Sequence, residues 1–252
     1  ALWAAAQPAG YAVCSYLAAR GLAGWTVQLC IRQHPGLTYW HCDDDGELHM
    51  LGRFPALLAP IVRDGKLIAI HRTYLGEGCK ANVPTPKKLT AASGPLAGAC
   101  IPLAAPHGGV LGIAEGIETA AAASLGSRLP VVAAYCANAM SGFTFLPGIE
   151  RLVIFADNDP AGQQAAATLA QRADKAGLIH KTLTPSKPGS DWADVWLGGM
   201  QREATKTSWP MQQPTTASTT TATSRAPTLP VCMDWWATWP ALAAIPPKPT
   251  PM

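Results

Sequence analysis

Three sets of carboxylates punctuate the middle of this 252-residue chain, and each follows a short apolar run. Glu115 stands in A-E-G-I-E-T, Asp157 and Asp159 in F-A-D-N-D-P-A-G, and Asp191 with Asp194 in S-D-W-A-D-V. Carboxylates gathered in one place repel one another unless a cation sits among them. Each set also has a plainer explanation. Asp159 can cap a helix, Glu115 can be a helix-start charge favoured by the dipole, and Asp191 and Asp194 can be a cap and a first-turn acid. Capping preferences alone do not readily produce all three sets in order, each at the end of a strand.

The elements around these residues predict how they are positioned. Val110 to Ala114 reads as a buried strand, Val131 to Tyr135 and Leu152 to Ala156 as a second and a third, and Lys181 to Leu183 as a fourth short one. Between them, Ile117 to Leu125 reads as a helix closed by Gly126. A second helix is entered at Pro160 and stopped near Gly177, with Ala161, Ala165, Leu169 and Ala173 on one face. Asp191 caps a last helix through Leu197. Strict alternation of strand and helix implies a parallel sheet with flanking helices, and in such sheets functional groups gather at the C-terminal strand ends. Gly116 would let a ligand or backbone approach the first strand end closely, unless it simply makes a turn.

The flanking segments differ in character. Ahead of the sheet, Tyr11 to Ala19 looks helical and Leu67 to Leu75 alternates as a strand, which predicts a small α+β unit over 1–109 preceding the α/β unit of 110–200. Charge divides the same way, with 9 basic and 6 acidic residues up to Val110 and 6 basic and 8 acidic from Leu111 to Met200. From 201 to 252 the chain turns to Thr, Ser, Pro and Gln, a composition that predicts a disordered tail, although Trp235, Trp236 and Trp239 cluster near its end.

Composition narrows the class. With 48% hydrophobic residues, whole-chain disorder is excluded, and a net charge of +3 is too small to signal nucleic-acid binding by its total. Two uncharged stretches, Leu89 to Ala114 and Leu129 to Ile149, are broken by Pro95, Pro102, Pro106, Pro130 and Pro147, so no membrane span is expected. No Lys or Arg precedes Arg20, which argues against a signal peptide, and the lack of a Met at position 1 points to a fragment or a processed chain. Seven cysteines without a C-x-x-C pair fit a reducing, cytoplasmic setting. The group Cys30, His34, His41, Cys42 and His49 matches no common zinc spacing.

A glutamate-glycine after an apolar strand, a D-x-D after a later strand and a further acidic helix start resemble the Toprim domain shared by topoisomerases and bacterial-type primases. The wording E-G-I-E-T-A, F-A-D-N-D-P-A-G-Q and D-W-A-D-V is most similar to plasmid- and phage-borne DNA primases and primase-helicases. The resemblance extends upstream through Y-L-A-A-R-G-L at Tyr16 to Leu22 and I-H-R-T-Y-L at Ile70 to Leu75. It implies a Toprim-like, Rossmann-like fold and a magnesium site made by Asp157 and Asp159, with manganese as the substitute ion. Glu115 is then the acid-base carboxylate close to the metal, and Asp191, with Asp194, a supporting acid. Elementary chemistry agrees, because magnesium bound by one or two carboxylates keeps positions open for substrate phosphates and lowers the charge cost of phosphoryl transfer.

Between Arg63 and Lys88 the excess of base over acid precedes this site directly, which makes Arg72, Lys80, Lys87 and Lys88 candidates for holding nucleic acid or nucleotide, unless they are a solvated face. Asn138, after the second strand, is a further candidate contact or a helix cap. The expected activity is primase-type nucleotidyl transfer, making RNA primers on single-stranded DNA from ribonucleoside triphosphates in plasmid or phage replication. A replicative helicase is the expected partner. The competing expectations are a Toprim nuclease and a non-catalytic single-stranded DNA-binding protein. The zinc-binding module and the helicase that accompany primases of this type are not visible in the sequence, which leaves a catalytic core fragment, a truncated product or a protein reliant on partners as expectations.

Overall fold

A computed structural model of the chain describes residues 2–23, 25 and 30–199. The expected tail at 201–252, with its tryptophans, lies outside the described residues. The N-terminal part comprises β1 (Gln7–Pro8), α1 (Tyr11–Ala19), β2 (Arg32–Cys42), β3 (Leu48–Arg63), β4 (Lys66–Tyr74) and β5 (Lys87–Leu89). The strands form one antiparallel sheet in the order β1-β2-β3-β4-β5. Helix α1 has the expected bounds, and the chain leaves it through Gly21 at φ 72°.

This sheet is larger than the sequence pattern led us to expect. Strands β2 and β3 contain Pro35, Pro55 and Pro60, residues that normally argue against a strand interior. The ladder absorbs them partly through register shifts between His34 and Leu37, Tyr39 and Trp40, and Ile61 and Val62, each of which disrupts the two-residue alternation. Ala56 to Val62 is buried on both faces. Leu57, Ala59 and Ile61 face the main core, whereas Ala56 and Leu58 pack with Tyr39, Ile70 and Tyr74 on the other side.

The second part follows the expected alternation. It comprises β6 (Val110–Ala114), α2 (Ile117–Ser127), β7 (Val131–Ala133), α3 (Ala137–Ser141), β8 (Arg151–Phe155), α4 (Pro160–Lys175), β9 (Ile179–Leu183) and α5 (Trp192–Leu197). Its four strands are all parallel in the order β7-β6-β8-β9. Several ends differ from the sequence reading: β8 begins one residue early at Arg151 and stops at Phe155, and β9 begins two residues early at Ile179. Helix α2 runs past Gly126 to Ser127, and Arg128 takes the left-handed turn at φ 59° that glycine usually fills. Strand β7 stops at Ala133, because Tyr135 at φ 70° turns the chain into α3.

Helices α3 and α4 cover one face of the parallel sheet through Met140, Ala165, Ala166 and Leu169 over Leu111, Ile113, Leu152 and Ile154. The other face is covered by α2, whose Ile117 to Ala123 are all buried. Alanine at Ala120 to Ala123 lets this helix lie close to both halves of the protein. A single apolar cluster runs from Val13, Tyr16 and Leu17 of α1 through α2 to Trp192 of α5. The two sheets are also stitched through the backbone. Cys100 exchanges hydrogen bonds of 2.8 and 3.0 Å with Val62, while Ile101 exchanges bonds of 2.8 and 3.2 Å with Ala133. Among the described residues no helix is long and apolar enough to cross a membrane.

Gly112, in the central strand β6, has no room for a side chain. A Cβ there would lie 2.8 Å from Val131 Cγ2, 3.0 Å from Phe155 Cε2 and 3.3 Å from the Pro130 carbonyl oxygen. Gly112→Ala should therefore cost about 1–3 kcal/mol of stability, read as a lower urea midpoint at unchanged slope. An unchanged midpoint would mean that β6 and β7 separate freely.

Candidate active site

Strands β6 and β8 are hydrogen-bonded neighbours, so the loops leaving their C-terminal ends are adjacent. Glu115 follows β6 directly and is partly buried, with the backbone N–H of Ala137 at the start of α3 donating to its carboxylate. Asp157 and Asp159 follow β8. Asp159 caps α4, accepting a 2.7 Å hydrogen bond from the Gly162 N–H at Oδ1. Asp191 caps α5 in a reciprocal box with Asp194, so Asp194 is occupied in holding the helix end.

Asn158, a residue the sequence did not single out, brings the last acid to the others. Its backbone N–H donates to the Ser190 carbonyl at 2.9 Å, its own carbonyl accepts from Gly189 at 2.7 Å, and its side-chain amide donates to the Pro185 carbonyl at 2.8 Å. These three bonds clamp the D-N-D loop to the segment before Asp191. Gly162 is needed for the same loop, because a Cβ there would lie 2.8 Å from the Asp157 carbonyl oxygen.

The electrostatics show that these carboxylates sense one another. Burial, then the charges of Glu115, Asp191 and Asp159, push the Asp157 pKa up to about 7, with Lys87 opposing the shift. Burial and then Asp159 raise that of Glu115. Asp157 Oδ1 is buried without a hydrogen-bond partner. An anionic oxygen left bare in this way is destabilising, and a cation would relieve it.

The second acid of E-G-I-E-T, Glu118, was also missed by the sequence reading. It is 5% exposed, and its carboxylate accepts 2.5 Å and 3.1 Å hydrogen bonds from Tyr16 Oη and Lys87 Nζ, with Lys80 Nζ at 3.7 Å. Those partners outweigh burial and hold its pKa well below the usual carboxylate range. The available signal was that Glu118 is the only charged side chain on a helix otherwise built of Ile, Ala, Thr, Ser, Leu and Gly.

The basic candidates separate into two pairs. Lys80 and Lys87 converge on Glu118, beside the acidic edge. Lys88 lies 4.3 Å from the centre of the Tyr39 ring and donates to the Trp40 carbonyl, while Arg72 donates to the Leu89 carbonyl and lies 3.5 Å from Tyr74 Oη. Both of these serve the antiparallel sheet. Asn138 is exposed on α3. Of the residues considered for zinc, His41 and His49 face each other across β2 and β3, with His49 2.7 Å from Asp43.

The Toprim domain model matches residues 110–200, the span that carries all four acidic-edge residues. Residues 110–200 are a Toprim domain. Residues 1–101 match a domain of unknown function, DUF7146. No curated protein sequence is significantly similar to the chain. Among solved structures, the DnaG catalytic core superposes with a TM-score of 0.53 at 14% identity, covering 78% of this chain and 74% of that one. The DnaG primase catalytic domain bound to ssDNA gives 0.52 at 15% identity, covering 77% and 71%. A DNA primase domain from Pseudomonas aeruginosa gives 0.44 at 16% identity, and this chain spans 56% of its length. The likeness to the two DnaG structures extends well beyond the Toprim domain, so the antiparallel sheet belongs to the shared fold.

The raised Asp157 pKa has a consequence for stability. From the ordinary aspartate value of 3.8 up to about 7, the folded chain keeps a proton that the unfolded chain has lost, so stability falls as pH rises through that window. Glu115 acts in the same direction. Glu118, held low, acts oppositely, and its contribution is lost only as pH falls below the ordinary glutamate value of 4.5. The thermal midpoint of metal-free protein should therefore drop between about pH 4.5 and about pH 7, and Asp157→Asn should flatten the drop and melt above the parent at the alkaline end. Parallel curves for the two proteins would show that Asp157 is not strained.

Proposed function

We propose that the chain is a metal-dependent nucleotidyltransferase of primase type, synthesising RNA primers on a single-stranded DNA template. The observation that carries this reading is the crowding of Glu115, Asp157, Asp159 and Asp191 on one edge of the parallel sheet, around a buried carboxylate oxygen without a partner. The DnaG domain that binds ssDNA shares this fold, which supports the choice of template. We read 110–200 as the catalytic domain, 1–109 as the unit that presents template and nucleotides, and 201–252 as a tail outside the catalytic unit. The setting we infer is cytoplasmic, in plasmid or phage replication, with a helicase as partner.

The residues present fit a hydrated divalent ion. Among the described residues no three metal-binding side chains enclose a bare ion, but magnesium needs only one or two carboxylates and keeps water and phosphate in its remaining positions. Asp157 and Asp159 would hold it, with Asp191 supporting and manganese able to substitute. Magnesium would polarise the phosphate and lower the charge cost of transfer. Glu115, with its pKa raised by burial, would take the proton from an attacking ribose hydroxyl at its carboxylate oxygen. Lys80 and Lys87 would contact triphosphate oxygens from the N-terminal side. Asn158 and Gly162 keep the carboxylates at the strand ends.

Incubating the full chain with single-stranded DNA, labelled ribonucleoside triphosphates and magnesium or manganese should yield short RNA oligomers. Asp157→Asn with Asp159→Asn should abolish them while the protein stays folded, and Glu115→Gln should lower turnover by about 100-fold or more with metal binding largely kept. Shortened template instead of new oligomers would replace this reading with a nuclease. DNA binding without either product would leave a binding module.

A further inference from the structure

The position of Lys87 raises a problem that the acidic edge alone does not solve. Its ammonium sits beside Gly116, where a Cβ would lie 3.9 Å from Nζ, and Gly116 directly follows Glu115. Its charge reaches both Glu115 and Asp157, pulling their pKa values down. A lysine this close to under-compensated carboxylates can swing onto them, occupying oxygens that a divalent ion needs. Its side chain is 38% exposed, so packing alone does not fix it.

We propose that Glu118 is a positioning residue, which holds the Lys87 ammonium away from the metal-binding carboxylates and so keeps them open. Four features of the structure support this. Glu118 lies three residues beyond Glu115, and its carboxylate is engaged by side chains of the N-terminal part, Tyr16 of α1 with Lys80 and Lys87. Its side chain is only 7% exposed, so it cannot readily leave its place. The Tyr16 hydroxyl, from α1, holds one of its oxygens at 2.5 Å, leaving Oε2 for Lys87 at 3.1 Å. Lys80 approaches the Tyr16-bound oxygen at 3.7 Å and so does not displace Lys87. Buried and hydrogen-bonded, this pair outcompetes the more solvated alternative at Glu115. The arrangement also sets the two lysines side by side at the junction of the two sheets, facing the place where the proposed function puts the triphosphate.

This inference rests on the metal site proposed above, and its test separates the two. Magnesium affinity is measured by calorimetric titration of the full chain for the parent, Asp157→Asn, Glu118→Gln, Lys87→Met and the Glu118→Gln, Lys87→Met double variant. Glu118→Gln should weaken magnesium binding by about ten-fold, although Glu118 is not a ligand. The same substitution in the Lys87→Met background should change affinity by less than about two-fold, because no lysine remains to swing across. In parallel, Lys87 should react faster with an acylating reagent in Glu118→Gln, and added magnesium should accelerate it further by displacing it from the carboxylates. Tyr16→Phe, which keeps the charge of Glu118 and removes only the hydrogen bond, should shift affinity in the same direction by about two-fold and serves if Glu118→Gln does not fold. An equal loss of affinity in both lysine backgrounds would reveal a plain long-range charge effect and overturn the proposal. So would unchanged affinity in the folded Glu118→Gln protein, or, if it does not fold, in Tyr16→Phe. Magnesium binding that is insensitive to Asp157→Asn would overturn the metal site itself and this inference with it.

Discussion

A carboxylate buried as deeply as that of Glu118 destabilises a fold by several kcal/mol unless it is paired, and every side chain that pairs it comes from the other half of the chain. Tyr16 is on α1, Lys80 precedes β5 and Lys87 begins it. The Toprim domain therefore cannot reach its lowest free energy without the antiparallel sheet in place. Removing one partner of such a buried network costs about 3–5 kcal/mol, far more than a surface ion pair. The backbone bridges at Cys100 and Ile101 and the apolar cluster through α2 act across the same boundary. Apolar packing supplies adhesion between the halves, and the buried charge fixes their registry.

The opposite situation holds a few residues away. Asp157 keeps a buried oxygen without a hydrogen-bond partner among three other carboxylates, so the same chain that neutralises Glu118 with care leaves the strand ends of β6 and β8 under-compensated by Lys87 alone. The scaffold keeps this strain from relaxing. Asn158 ties the loop to the segment before Asp191, Gly162 lets α4 start against the Asp157 backbone, and the capping bonds of Asp159 and Asp191 hold both helix ends. Strained, partly buried acids held by over-determined surroundings are what a cation-dependent site requires.

How much of this the sequence revealed depended on periodicity. The parallel sheet was legible because β6, β7 and β8 are short, largely buried runs bounded by glycine, proline or an acid, and β6 and α1 have the bounds expected of them. Glu115, Asp157 and Asp159 were legible because they follow β6 and β8 closely, whereas Asp191 comes only after the loop that leaves β9. Strands β2 and β3 were not, since Pro35, Pro55 and Pro60 and three register shifts erase the two-residue alternation that marks a strand. The antiparallel sheet is held by side chains distant in sequence, such as Tyr74 Oη on the Thr38 carbonyl at 3.1 Å. Glu118 and Asn158 escaped notice for a related reason. One is a single charge in an alanine-rich helix and the other a spacer between two aspartates, and their roles appear only when residues far along the chain arrive beside them.

Binding of a divalent cation at the C-terminal edge of the parallel sheet underlies the proposed function. It is tested most directly by adding substoichiometric manganese to the isotopically labelled chain and recording which backbone amide signals broaden. The site described here predicts that Glu115, Gly116, Asp157, Asn158 and Asp191 broaden first and together. Broadening confined to another acidic place, such as the exposed turn carrying Asp43, Asp44, Asp45 and Glu47, with the strand ends untouched, would contradict it.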